Sequence, residues 1–395
     1  MIKSLLNKPT QGGGALIILV VIILLAASSA LFSLLDGRSV KLERDKKTAT
    51  VLAEAKQALI GFAVGKAAVY EAGYLPNPDF HLSPIIAEGS QAGVAAAIDI
   101  TVIGKFPWYS LSTPPFKDGW NECLWYVVSG RSKANPPTAI LNWDTLGQID
   151  VIDAGGNTLA RNLAALIVSP GPILSEQNRS QVAADTPQCG GSYDAINYLD
   201  AYDATHAIAG NVNYFAASTN HRAAANSNNK VFVLAQNTHY NDRFAFVSID
   251  DIFRPLMQRS DFAAQISALL ADPYLQTVGI SGSKGNGSVD CALMNASNSN
   301  SAFCTNWKDM LLLVNLPLPA PILIDGAATA SCSRVLIFAG QKIAGQTRLT
   351  AVNKSDAANY IEGTNLSAFN LGTHHFVGTS KFNAANPSAD VLRCL

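Results

Sequence analysis

The chain has 395 residues, with 28 lysines and arginines against 29 aspartates and glutamates, for a net charge of −1. Only 14% of its residues are charged and the basic ones are scattered, which excludes the concentrated positive footprint of a nucleic-acid-binding protein. About 330 residues lie beyond residue 66, enough for one large or two ordinary domains.

Lys3 and Lys8 stand in a short leader. Lys8-Pro9-Thr10-Gln11 runs into Gly12-Gly13-Gly14, and an uncharged apolar stretch follows from Ala15 to Leu35. As a helix that stretch is roughly 30 Å long, one bilayer core thick. Three glycines abutting such a helix suit a peptidase that cuts on the cytoplasmic side. Cleavage after Gly13 or Gly14 would leave Gly14 or Ala15 as the first residue. Two other readings stay open. Ala26 to Ala30 could serve as a signal-peptide cleavage site, although the apolar run is longer than the usual h-region of about 7–15 residues. A plain single-pass anchor is the third.

No proline interrupts Arg38 to Lys66, where Val51, Leu52, Ala55, Leu59, Phe62 and Ala63 form one helical stripe. Arg44, Lys47, Glu54 and Lys56 lie mostly off it. The spacing therefore predicts one helix over 15–66, roughly 75 Å long. Its half at 15–35 would be transmembrane, and its amphipathic half needs a globular head to cover its stripe.

Further along, Leu124 to Ser129, Leu163 to Ser169, Val231 to Ala235, Phe244 to Ile249, Met310 to Asn315 and Arg334 to Phe338 read as short strands. Asp261 to Leu270 has helical spacing, with Ser260 or Asp261 as N-cap. Ser218 to Lys230 and Ser281 to Ser301 read as exposed polar loops. These elements predict an α+β fold, with the long N-terminal helix packed on a strand-rich, mainly antiparallel head. Its parts are a leader (1–14), the helix (15–66), a head lobe (67–260) and a C-terminal lobe (261–395).

All six cysteines, Cys123, Cys189, Cys291, Cys304, Cys332 and Cys394, lie beyond the helix. An even number in an exported head points to disulfides, with 15 possible pairings. Cys291 and Cys304 flank an Asn/Ser-rich loop and form the most local pair. Cys332 with Cys394 would tie down the C-terminus, leaving Cys123 with Cys189. No Cys-x-x-Cys accompanies them, which disfavours a metal.

The motifs that carry chemistry are sparse. Gly279-Ile-Ser-Gly282 is not a nucleophile elbow, and Gly282-Ser-Lys284 lacks phosphate-loop spacing. His374-His375 reads as a loop feature, since neighbours on a strand face opposite ways. Asp250-Asp251 reads as a helix N-terminus. Trp108, Trp120, Trp125 and Trp143 read as core rather than as a ligand platform.

The segment Gln11-Gly-Gly-Gly-Ala-Leu-Ile-Ile-Leu-Val-Val-Ile-Ile23 resembles the N-terminus of type IV pilins and type II secretion pseudopilins, especially their minor, large-headed members. Glu54-Ala-Lys-Gln-Ala-Leu-Ile-Gly-Phe-Ala63, Gly73-Tyr-Leu-Pro-Asn-Pro-Asp79, Phe106-Pro-Trp108, Leu124-Trp-Tyr-Val-Val-Ser129, Asp144-Thr-Leu-Gly-Gln148 and Asn241-Asp-Arg243 extend the resemblance to about Arg254. It implies a non-enzymatic subunit processed by a prepilin peptidase, held in a bacterial inner membrane with its head in the periplasm or at a filament tip. Its partners would be other pilin or pseudopilin subunits, with no cofactor and no nucleic acid. One departure is informative. Pilins carry a glutamate five residues into the mature chain, where this sequence has Ile17, Ile18 or Leu19 according to the cut. A subunit without that carboxylate leaves a neighbour's terminal ammonium unpaired, so the departure implies a tip or minor position. Some pilin-like heads bind calcium. Asp194, Asp200 and Asp203 lack EF-hand spacing, and no metal site is assigned. The alternative from another class is a membrane-anchored periplasmic hydrolase or ligand-binding protein.

Overall fold

The structure is a computed structural model. It describes residues 12–80, 87–93, 99–134, 140–175, 177–180, 186–200, 230–279, 284–286, 289–294 and 299–395, with side chains at 20–24 and 38–64 of the first helix. The fold is mixed α/β with mainly antiparallel sheets. The first helix, α1 (Gly12–Val64), begins inside the glycine run and so takes in residues 12–14 of the expected leader. Residues 1–11 lie outside the described residues, as do most side chains of the expected transmembrane stretch 15–35. Among the described residues, no helix is long and apolar enough to cross a membrane.

Leu52, Ala55, Leu59 and Ala63 of α1 are buried, one stripe at helical spacing. They face a four-stranded antiparallel sheet, for which the strands in chain order are β1 (Val102–Lys105), β2 (Trp125–Val128), β3 (Ile149–Asp153), β4 (Thr158–Leu163), β5 (Ala165–Ser169), β6 (Lys230–Leu234) and β7 (Arg243–Val247). The sheet order is β1-β2-β5-β7, while β4-β3-β6 form a second, smaller sheet. Alternation along β2 divides the layers: Tyr126 and Val128 join the core beneath α1, whereas Trp125 and Val127 pack towards Ile149, Val151 and Phe232 of the small sheet. Cover on both faces is why β2 and β5 read as unbroken apolar runs.

The chain then enters α2 (Ile249–Met257), where Ser248 accepts from Asp251 N–H and the Asp251 carboxylate accepts from Ser248 N–H. Asp250-Asp251 is thus the opening of a helix with a capping box. Next come α3 (Ser260–Leu270) and α4 (Pro273–Thr277). The N-cap of α3 is Arg259 rather than Ser260 or Asp261, and it makes no side-chain cap; its guanidinium pairs with Asp261 and donates to the Val64 and Lys66 carbonyls, closing the end of α1.

The rest comprises β8 (Lys284–Asn286), α5 (Asn300–Trp307), β9 (Leu311–Ala320), β10 (Leu323–Ile324), β11 (Ala327–Ala328), β12 (Cys332–Phe338), α6 (Ala351–Ser355), α7 (Gly363–Leu371), β13 (Val377–Gly378) and β14 (Val391–Cys394). A second antiparallel sheet has the order β14-β12-β9-β8, with a three-stranded sheet β11-β10-β13 beside it. The stretch 281–301 is therefore not all loop: it contributes β8 and the start of α5, while 218–229 lies outside the described residues. Each four-stranded sheet draws its strands from one side of residue 260, yet one apolar cluster runs from Leu52 through to Leu392. At its centre Trp143 packs edge-on to Trp307, 4.6 Å between ring centroids, among Phe262, Phe338 and Phe382.

Candidate functional site

The six cysteines form three disulfides, Cys123–Cys189, Cys291–Cys304 and Cys332–Cys394. These are the three pairs weighed from the sequence. Their Cα separations, 5.3 to 5.6 Å, are ordinary for such bonds. Cys332–Cys394 fastens β12 to the last strand. Cys123–Cys189 holds a loop whose Gln188 and Cys189 N–H groups both donate to the Glu88 carboxylate.

Behind that loop Lys105 is buried, its Nζ donating to Gly190 O at 2.6 Å and lying 4.5 Å from the Tyr193 ring centroid. Burial pulls its pKa down to about 8, opposed by the charges of Glu88, Asp79 and Glu122. Asp79, from the Gly73–Asp79 motif, accepts from Tyr193 Oη and Gly89 N–H. These groups anchor loops to the first sheet.

The other candidates separate. Gly13, Gly14 and Ala15 fall in the first turn of α1. Of the four tryptophans read as core, Trp125 and Trp143 are buried, whereas Trp108 and Trp120 are half-buried. His374 and His375 are exposed loop residues, as expected, their rings 4.6 Å apart, and both line one small apolar cavity of about 270 Å³. Asp203 and residues 280–283 lie outside the described residues. Asp200 is turned away from a metal cluster with Asp194: it accepts from Asn241 and Asp242 N–H, while Asp242 accepts from Asp200 N–H at 3.1 Å. Burial, then the neighbouring Asp200 charge, drives the Asp242 carboxyl well above the usual range. Among the described residues, no group of three or more His, Cys, Asp and Glu side chains is placed to hold a metal ion.

The most built polar site lies where the two halves of the head meet, and no sequence motif announces it whole. A cleft of about 520 Å³ is lined by Asp99 and Arg131 of the first half, by the turn at 140–146, and by Arg348, Leu349 and Lys354 of the second. Arg348 is its deepest charge. Its guanidinium donates to Asp144 at 3.0 Å, to Asn359 O at 2.6 Å and to Gly340 O at 3.1 Å, and lies 4.5 Å from the Tyr360 ring centroid. Asp144 also faces Lys342 at 3.9 Å, and Lys354 pairs with Asp309 at 2.6 Å.

Across the cleft, Asp99 holds a left-handed backbone, φ 63°, at a position that would favour glycine. Its carbonyl accepts from Gln148 Nε2, and the Gln148 Oε1 accepts from Ser129 and Thr101. Gly130 must be glycine here because a Cβ would lie 2.2 Å from the Asp99 carbonyl carbon. Arg131 sits at the mouth, its Nε 3.6 Å from Asp99 and its Nη1 3.4 Å from Leu146 O. Lys133 lies behind, its Nζ 3.2 Å from Ile100 O; burial lowers its pKa to about 8, opposed by the Asp99 charge.

Asp144 and Gln148 close the Asp144–Gln148 motif at both ends, so half of this site carried a signal in the sequence. Arg348 and Lys354 carried none. Comparison with protein families, with curated proteins and with solved structures finds no match to this chain.

Proposed function

We propose that the chain is a non-enzymatic pilin-like subunit, a minor or tip component of a type IV pilus or type II secretion filament, inserted in a bacterial inner membrane by its N-terminal helix. The observation that carries this reading is the division of labour along α1. Its C-terminal part buries Leu52, Ala55, Leu59 and Ala63 in the head, whereas Val20 to Leu24 are 47–62% exposed. Five consecutive exposed aliphatic residues need lipid or neighbouring helices to cover them. The leader, the glycine run and the absent fifth-residue carboxylate support the same reading, as do three disulfides suited to an oxidising compartment. In this proposal a prepilin peptidase removes the leader, and the helix packs beside those of other pilin or pseudopilin subunits.

The test is mass spectrometry of protein extracted from membranes. The expected N-terminus is Gly14 or Ala15; an intact Met1, or an N-terminus at Leu31, would reject processing of this kind. A membrane-anchored periplasmic ligand-binding protein is the second reading, and the charged cleft is what favours it.

A further inference from the structure

The cleft between the two halves of the head carries a network of close charges. Four cations, Arg131, Lys342, Arg348 and Lys354, stand within 4 Å of three carboxylates, Asp99, Asp144 and Asp309, with Asp144 shared by two of them. The least committed cation stands at the mouth. Arg348 is buried and makes bonds on every side, but the Arg131 side chain is 41% exposed and its contacts are at 3.4 and 3.6 Å, long for a guanidinium. Such a planar fork binds a carboxylate through two parallel hydrogen bonds.

The remaining lining narrows the ligand. Beside Arg131 stands the Asp99 carboxylate, 44% exposed, a group that accepts hydrogen bonds from hydroxyls, while the Thr145 hydroxyl already accepts from Asn142 N–H at 3.0 Å and donates to Ile140 O at 3.5 Å. Ile140, Leu146 and Leu349 supply limited apolar surface. A volume of about 520 Å³ lies in the range of small-molecule sites. A carboxylate, several hydroxyls and a small apolar face occur together in acidic sugars. A polypeptide C-terminus would share the carboxylate but not the hydroxyls, and the charges here come from side chains rather than an exposed strand edge.

We infer that this cleft binds an acidic sugar, a uronate- or sialate-type residue, with its carboxylate on Arg131 and its hydroxyls on Asp99. The site stands whether or not the chain enters a filament, because no residue of the exposed α1 segment contributes to it.

Isothermal titration calorimetry of the full chain in detergent tests the inference, using galacturonic acid, galactose as its neutral counterpart, and triglycine as a free α-carboxylate. Galacturonate should bind saturably, and galactose at least about ten-fold more weakly, the effect of losing one charge-assisted contact. Arg131→Gln should weaken galacturonate by about the same factor and abolish the difference between the two sugars. Lys354→Gln, on the opposite wall, should weaken galacturonate less than Arg131→Gln does, which separates loss of the specific fork from loss of positive charge. No saturable galacturonate binding up to about 10 mM would overturn the proposal, as would equal affinity for both sugars or tighter binding of triglycine.

Discussion

Two contacts of this head fail in opposite ways. Where α1 meets the first sheet, backbone touches backbone. Thr48 donates to the Arg44 carbonyl and accepts from Gly119 N–H, and a Cβ on Gly119 would lie 2.3 Å from the Arg44 oxygen. Beside it, Asp118 accepts four hydrogen bonds, from Trp120 and Glu122 N–H, Ser169 Oγ and Gly171 N–H, fixing the loop that receives the helix. In the second half the joint is made of volume instead. Trp307 touches the rings of Trp143, Phe253, Phe262, Phe303 and Phe338. The seam has no room for an added atom; the aromatic centre cannot spare one.

The largest effect should come from removing atoms where volume does the holding. Trp307→Ala empties a fully packed site and should destabilise by about 4 kcal/mol, because its neighbours are themselves large rings packed against one another with little freedom to refill the space. Denaturant unfolding of the oxidised protein measures it, and a loss below about 1 kcal/mol would mean the cluster is not the structural centre. Adding a single methyl at the seam is the complementary test. Gly119→Ala should cost about 2 kcal/mol, since the group it strikes is backbone rather than the end of a flexible side chain. Protease cleavage near residues 44–48 should rise with it. An unchanged melting temperature and unchanged protection there would show that α1 does not depend on this close approach.

The sequence made much of this legible, and the gaps have identifiable causes. Strands β2, β5, β6, β7, β9 and β12 announced themselves as short apolar or β-branched runs, and in β2 and β5 every residue is buried because layers cover both faces. By contrast β4, Thr-Leu-Ala-Arg-Asn-Leu, is polar and mostly exposed, and its strand character comes from pairing with β3. The edge strand β14 is likewise made by its partner β12. At α3 the choice of N-cap went wrong because Arg259 is committed to the end of α1, a tertiary bond that local propensity does not register. The motifs behind the family resemblance turn out to be joints. Asp79 anchors Tyr193, Asp242 pairs with Asp200, Arg243 reaches Asp45 on α1 at 2.8 Å, and Asp144 meets Arg348. The cleft was only half visible, because Asp144 and Arg348 are 204 residues apart and only the folded chain brings them together.

The last effects come from pH, and here a buried lysine of the first half and a buried carboxyl of the second should answer with opposite signs. In the first, burial lowers Lys105 from 10.5 to about 8. The unfolded chain then holds the extra proton between those values, so this group's contribution is present above pH 10.5 and lost as pH falls through about 8. In the second, Asp390 is buried, accepting from Asn365 Nδ2 at 2.7 Å, and burial raises it from 3.8 to about 7. Its contribution is present below pH 3.8 and lost as pH rises through about 7. Variants isolate each term, because the slope of the difference from the parent reports the proton and not the altered packing. The stability gap between parent and Asp390→Asn should shrink in the parent's disfavour from pH 4 to 7 and then stay level. The gap between parent and Lys105→Met should instead grow in the parent's favour from pH 8 to 10.5. Denaturant midpoints across the pH range decide it. A flat Asp390→Asn difference below pH 7 would mean that this carboxyl reaches water in the folded chain, so that its burial contributes no pH dependence.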